Sequence, residues 1–279
     1  MRGALVGICA ALVLAVVAGC GGTGSAASPT TTGRQLRQFR VVFPEGFTRA
    51  QMGARVQAVA KIAERESRRT VKLSGNAYAA ATAKTHTIPG FGDTKLPMEG
   101  FLFPDTYDFD RKSIAAQLVQ DQLAEFTSDW SRLNLSYARS KNLTPYDVLK
   151  IASMVEGEAQ VPSERPLVAA VIYNRLHQRM PLGIDATLRY GLDIPGTKSI
   201  RQSQLQSDSP YNTRNHAGLP PTPIANPGLA SMQAAAHPAK VGYLYFVRKP
   251  DKQHHYFTAS FRDFTNYERA HGYITGSSG

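Results

Sequence analysis

Cysteine is almost absent from this chain of 279 residues: there are two, Cys9 and Cys20, both close to the start. Everything after position 20 is free of thiols, which excludes disulfides, cysteine nucleophiles and thiolate metal sites there. Acidic residues are also the scarcer charge. Asp plus Glu number 21 against 32 Lys plus Arg, a formal charge of +11. A basic chain invites a nucleic-acid reading, but zinc-ligand spacing, a basic heptad helix and an aromatic RNA-binding signature are all missing. No nucleic-acid partner is expected. An anionic envelope surface fits the charge better, beside the plainer reading of a solvated basic surface. No internal repeat is present. The only long apolar run is Ala4 to Ala18. The length supports one large or two small domains with a real core.

The first twenty residues read as a secretory leader. Met1-Arg2 is a short positive start, and the apolar run is too short to cross a bilayer comfortably. It ends in Val17-Ala18-Gly19-Cys20. That small-small-Cys ending resembles the lipobox of bacterial lipoproteins, which implies lipidation of Cys20 and an anchor on the outer face of the cytoplasmic membrane. A cleaved leader without lipid and an uncleaved anchor are the alternatives. Residues 21–37 are rich in Gly, Ser and Thr and read as a flexible tether.

Beyond the tether, Gln38 to Phe43 alternates as a strand and Pro44-Glu45-Gly46 turns it. Thr48 caps a helix from Arg49 to about Arg69, with Met52, Val56, Val59, Ala60 and Ile62 near helical spacing. A second helix is expected over Asn76 to Lys84. The aromatic, turn-rich block Glu99 to Tyr107 follows, then an amphipathic helix from Ser113 to Leu133 with Ile114, Leu118, Leu123 and Phe126 inward. From about 201 onward Pro, Asn, Gly and Ser predict long ordered loops around a site. Tyr243 to Val247 and His254 to Thr258 predict a hairpin turning at 249–252. The expected fold is α+β: a small strand–helix subdomain over 38–97, then a mainly helical domain with a β-hairpin over 98–274.

Thr144-Pro145 opens a helix with a capping hydroxyl and a proline at its first position, and Asp147 complements the helix dipole. Val148, Ile151, Ala152, Val155 and Ala159 define its buried stripe. Glu156 falls at the edge of that stripe. There a carboxylate loses hydration, which raises its pKa and suits a general acid. Glu158, about 200° further round at 100° per residue, is expected to face solvent. Most glutamates on such helices are surface groups or salt-bridge partners, so pattern alone leaves the bland reading in place.

Several blocks, in order, resemble the endolytic murein transglycosylases, the MltG or YceG-like family. They are Pro44-Glu45-Gly46; Glu99-Gly100 with Leu102 to Tyr107; Ala152-Ser153-Met154-Val155-Glu156-Gly157-Glu158; Val171 to Leu176; and Asp185, Thr187, Tyr190 and Gly191. Next come Ser209 to Thr213, Gly218 to Pro221 with Pro223-Ile224, Asn226-Pro227-Gly228, and Tyr245 to Val247 with His255 and Phe257. The resemblance runs from about Pro44 to His271. It implies a LysM-like subdomain, here shortened, before a catalytic domain, and peptidoglycan glycan strands as substrate. It implies Glu156 as a single catalytic acid and base that leaves 1,6-anhydro-N-acetylmuramic ends, with no cofactor and no metal. Cell-wall synthases are partners expected from the family only. Where family members often carry a Gln before the Asp-x-Thr, this chain has Gly183-Ile184-Asp185.

Glu99, Asp185, Thr187, Tyr190, Tyr211, Asn212, Thr213, Asn226 and His255 are the candidates for binding substrate. Against each stands a structural role in turns, caps or core edges. His254-His255 does not read as a metal pair, because adjacent strand residues face opposite ways. Two rival functions remain. One is a hydrolytic muramidase using Glu156 with Asp185 or Glu99. The other is a non-catalytic peptidoglycan-binding lipoprotein.

Overall fold

The computed structural model describes residues 37–273. The expected leader, the lipidation site Cys20 and the tether as far as residue 36 lie outside the described residues. The architecture is α+β: helices predominate, with two small antiparallel sheets.

The chain opens with β1 (Phe39–Val42) and α1 (Arg49–Ser67). Thr48 caps α1 as expected: its hydroxyl accepts from the Gln51 N–H, and the Gln51 side chain accepts from the Thr48 N–H. Met52, Val56 and Ala60 point inward, but Ile62 is exposed and Ala63 takes the inner place. α2 (Gly75–Thr82) follows, capped by Ser74. The sheet partner of β1 is β2 (Thr106–Phe109), with Val41 opposite Tyr107. This strand emerges from the aromatic block that sequence patterning left as turn, and it lies beyond position 97. α3 (Ala115–Ser131) closes the first core, where the Tyr78 hydroxyl donates to Gln122 at 2.7 Å. Ile114, expected inside, is half exposed, because it is the extended residue that precedes the helix.

The second core forms around α5 (Pro145–Glu158), reached through the short α4 (Ser136–Ser140). Thr144 and Asp147 form the expected cap. α5 is buried on more faces than its stripe indicated: Leu149, Ser153 and Met154 are enclosed as well. A helix enclosed all round belongs to a core, and each such Leu or Met contributes about 2 kcal/mol by burial. Its cover comes from α6 (Arg165–His177), entered by a 3-10 turn at Pro162–Glu164, and from α9 (Leu229–Ala236). Alanines 234–236 on α9 allow close approach. Ser153 uses its hydroxyl inside this core to accept from the Ile224 N–H at 3.0 Å, which fastens the proline-rich loop onto α5.

Between α6 and α9 lie α7 (Asp185–Gly191), α8 (Gln202–Leu205) and long irregular segments, in line with the Pro- and Asn-rich composition there. The predicted hairpin is β3 (Tyr245–Arg248) with β4 (His255–Thr258), Arg248 opposite His255. α10 (Phe261–Ala270) ends the described chain. No helix among the described residues is long and apolar enough to cross a membrane.

Candidate active site

Glu156 stands on the last turn of α5, where the buried helix reaches the surface. Its side chain is 7% exposed. One oxygen accepts from the Gly228 N–H at 3.0 Å, and the other lies 3.6 Å from Nη2 of Arg165. Arg165 is held in turn by Ser231, whose hydroxyl accepts from its Nε at 3.0 Å. The carboxylate therefore has a fixed direction, set by the starts of α6 and α9.

The segments built on the first core form one lobe of the same compact unit, those on the second core the other, and the first lobe reaches the same place. The turn after β1 lays Gly46 against the Glu156 side chain and brings Glu45 to the same guanidinium, 3.8 Å from Nη2. The Glu45 carboxylate also lies over Gly228 so closely that a Cβ at 228 would overlap it. The bare glycine backbone leaves the Glu45 carboxylate room to lie there. Burial pushes the Glu45 pKa up, the Glu156 charge adds to this, and Arg165 partly offsets it. Neither Glu45 nor Arg165 was a sequence candidate for the site. A turn glutamate and an arginine at a helix start are ordinarily surface groups, and only the fold brings them to Glu156.

Glu99 occupies the junction between the lobes and is 5% exposed. It accepts from the Arg49 N–H, from the Asn226 amide and from the Tyr190 hydroxyl, at 2.9, 2.9 and 3.1 Å. Burial pushes its pKa up to about 7, against the opposing pull of those donors. Asn226 is fully buried and saturated. Its amide nitrogen donates to Phe47 O and Glu99, and its amide oxygen accepts from the Gly100 and Leu102 N–H groups. Its backbone carbonyl accepts from the Gly46 N–H. It is a clasp between segments, with no polar atom left over for a sugar.

The other candidates divide in the same way. Thr187 and Thr213 are buried and bonded to each other at 3.0 Å, and Thr213 also accepts from the Ile184 N–H. Asn212 donates to Leu205 O and Ser207 O, closing a loop. His255 is buried against Glu164, Nδ1 to Oε2 at 2.7 Å, and its N–H donates to the other carboxylate oxygen. His254 faces Asp251 instead, so the two histidines diverge. Asp185 pairs with Arg214 at 2.6 Å at the surface. Tyr190 and Tyr211 remain half-buried with rings 5.1 Å apart, and Tyr211 bonds Thr222. Of the nine, these two tyrosines and Asp185 keep accessible surface for a ligand.

Glu158 corrects an expectation. It is half-buried rather than solvent-facing, because the first turn of α7 covers the end of α5 and the Ala186 N–H donates to it at 3.3 Å. Burial raises its pKa. Gly183, the departure from the family pattern, has φ +64, a conformation that a glutamine adopts only with strain.

The sequence profile of the YceG-like family matches residues 24–270. The chain belongs to the YceG-like family. An endolytic murein transglycosylase of Bacillus subtilis is 32% identical over 224 residues, covering 78% of this chain and 61% of that protein. One of Streptococcus pneumoniae is 36% identical over 154 residues, covering 54% of this chain and 28% of that protein. This YceG-like chain therefore spans about three fifths of the first relative's length and under a third of the second's. A crystal structure of a YceG-like protein from Listeria monocytogenes shares the fold at TM-score 0.62 and 30% identity, covering 82% of this chain and 75% of its own.

Proposed function

We propose that this YceG-like chain is a lytic transglycosylase that cuts peptidoglycan glycan strands, with Glu156 as its acid and base. One observation carries the reading. Glu156 is a directed, mostly buried carboxylate at the meeting point of both lobes, and the curated relatives are named endolytic murein transglycosylases.

In this reading protonated Glu156 gives its proton to the oxygen that links N-acetylmuramic acid to N-acetylglucosamine. The bond to C1 breaks as the N-acetylglucosamine leaves with that proton. Glu156 then takes the proton from the muramic C6 hydroxyl, whose oxygen closes onto C1. The product end is 1,6-anhydro and no water is consumed. One carboxylate serves both steps because the substrate supplies the nucleophile, whereas a hydrolase of the ordinary kind needs two. Arg165, 3.6 Å away, would stabilise the carboxylate left after donation. Tyr190 and Tyr211 would offer ring faces to sugar, as half-exposed aromatics do.

Lipidation at Cys20 would hold the enzyme at the outer face of the cytoplasmic membrane. There it would trim or terminate nascent strands beside cell-wall synthases. The muramidase reading keeps one point of support. A second carboxylate does stand beside Glu156, but it is Glu45, since Asp185 pairs with Arg214 and Glu99 is held at the junction between the lobes.

The test is mass spectrometry of products from purified glycan strands, comparing the chain with its Glu156→Gln variant. Anhydro ends from the first alone support the lyase. Hydrated reducing ends would replace it with the muramidase. Binding to strands without any product would leave a peptidoglycan-binding lipoprotein.

A further inference from the structure

The Glu45–Arg165–Glu156 cluster is unbalanced. Two carboxylates approach one guanidinium nitrogen, at 3.8 and 3.6 Å. With both ionised the trio carries one uncompensated negative charge in a partly dry place, and one proton brings it to neutrality. Like-charged carboxylates that share a site resist ionising together, and their protons then belong to the pair.

We infer that Glu45 is a positioning residue for Glu156, forming with it, across Arg165, a carboxylate pair that holds one proton between them. Glu156 and Arg165 are nearly enclosed, and Glu45 closes the cluster on the solvent side with half of its side chain exposed. The charges that act on Glu45 are Glu156 from α5 and Arg165 from the start of α6, and α9 packs against it through the Gly228 backbone, which carries no charge. The rise in the Glu45 pKa agrees with this, since burial and the Glu156 charge outweigh the guanidinium.

The arrangement has a chemical use. A general acid must carry its proton at the working pH, and a guanidinium facing a carboxylate favours the charged form. A charged Glu45 opposes that effect. After donation, the same guanidinium stabilises the anionic glutamate that receives the C6 proton. Glu45 comes from the first lobe, so Glu156 is fully prepared only when that lobe is seated. The inference rests on the glycan-cleaving reading for this use, but not for the pairing itself.

The full chain with carbon-13 labelled glutamate allows the Glu45 carboxyl to be titrated by NMR, with no substrate present. In Glu156→Gln its midpoint should fall, as loss of a like-charged neighbour requires, and in Arg165→Met it should rise. A Glu45 midpoint unmoved in both variants would overturn the pair. In parallel, Glu45→Gln should move the basic limb of the cleavage pH profile toward acid, and Glu45→Asp should restore it in part. A purely structural role would lower activity evenly across pH, and that result would count against the pair. Glycan products report separately. Absent anhydro ends from the unaltered chain with a shifted Glu45 midpoint would retain the pair and remove the lyase reading.

Discussion

Glu99 and Asn226 are joined by a 2.9 Å hydrogen bond across 127 residues of sequence, and that bond ties the two lobes together at the edge of the Glu156 site. Asn226 then meets the turn at Gly46 and the Gly100 and Leu102 amides. Asn226→Ala would leave those two buried N–H groups without a partner and take from the buried Glu99 carboxylate one of its three donors. Each unsatisfied buried group costs about 1–3 kcal/mol. The variant should lose about 3 kcal/mol or more of stability in urea titration. Because Gly46 and Gly228 flank the same carboxylate, cleavage should fall even at temperatures where the variant stays folded. A loss under about 1 kcal/mol would mean that water replaces the clasp.

Glu99 gives stability a direction in pH. Its folded pKa, about 7, is above the ordinary 4.5 because burial disfavours the charge. The folded state therefore binds its proton more tightly than the unfolded state. Its penalty is relieved below about 4.5 and grows as pH rises through 7, so stability should fall across that window. Glu99→Gln can still accept from Asn226 and Arg49 but never charges. It should be more stable than the unaltered chain at pH 8 and should flatten the slope between pH 5 and 7. Parallel slopes in chemical denaturation would assign the raised group elsewhere.

Gly228→Ala probes the site with little effect on the core. The added methyl would overlap the Glu45 carboxylate, which is the movable tip of a half-exposed side chain. The Gly228 N–H still reaches Glu156. Stability should therefore change by less than about 1 kcal/mol, while displacement of Glu45 lowers glycan cleavage by roughly tenfold to a hundredfold, as ångström-scale misplacement does. Unchanged turnover would show that Glu45 need not lie where it does.

Local rules made part of this legible. Thr48 and Thr144 announce helix starts by hydroxyl and spacing, and the turn at 249–252 announces the hairpin, because each depends on neighbours within a few residues. The α+β class and the prominence of Glu156 followed from patterning and family resemblance. Long-range closure was not legible. β2 pairs with β1 some 65 residues away, and its four-residue alternation, Tyr107 and Phe109 inward, is too short to stand out from the turn-rich block before it. α9 is alanine-rich and α7 spans two turns, so neither carries a strong period. Glu158 looked exposed because helical angle alone does not say which element covers the end of a helix. Thr187, Asn212, Thr213 and Asn226 looked like ligand contacts because a polar loop side chain has the same sequence signature whether it bonds a sugar or its own backbone.

His255 tests that last distinction most sharply. It is buried with Glu164, which immediately precedes Arg165 at the entrance to α6. Both carboxylate oxygens of Glu164 are engaged by His255, one by its ring and one by its N–H. His255→Ala would keep the second bond and leave the other oxygen unpaired in an apolar surround. Leaving a buried acceptor without its donor costs about 1–3 kcal/mol. Because Glu164 adjoins Arg165, the loosened turn should also disturb the guanidinium that faces Glu156. A pairing with Glu164→Gln separates the roles. If His255 acts by holding Glu164, the double variant should lose much less than the two single losses combined, in stability and in cleavage alike. If it contacts substrate instead, its effect on KM should persist unchanged in the Glu164→Gln background. A double-mutant cycle read by thermal denaturation and product release distinguishes the two.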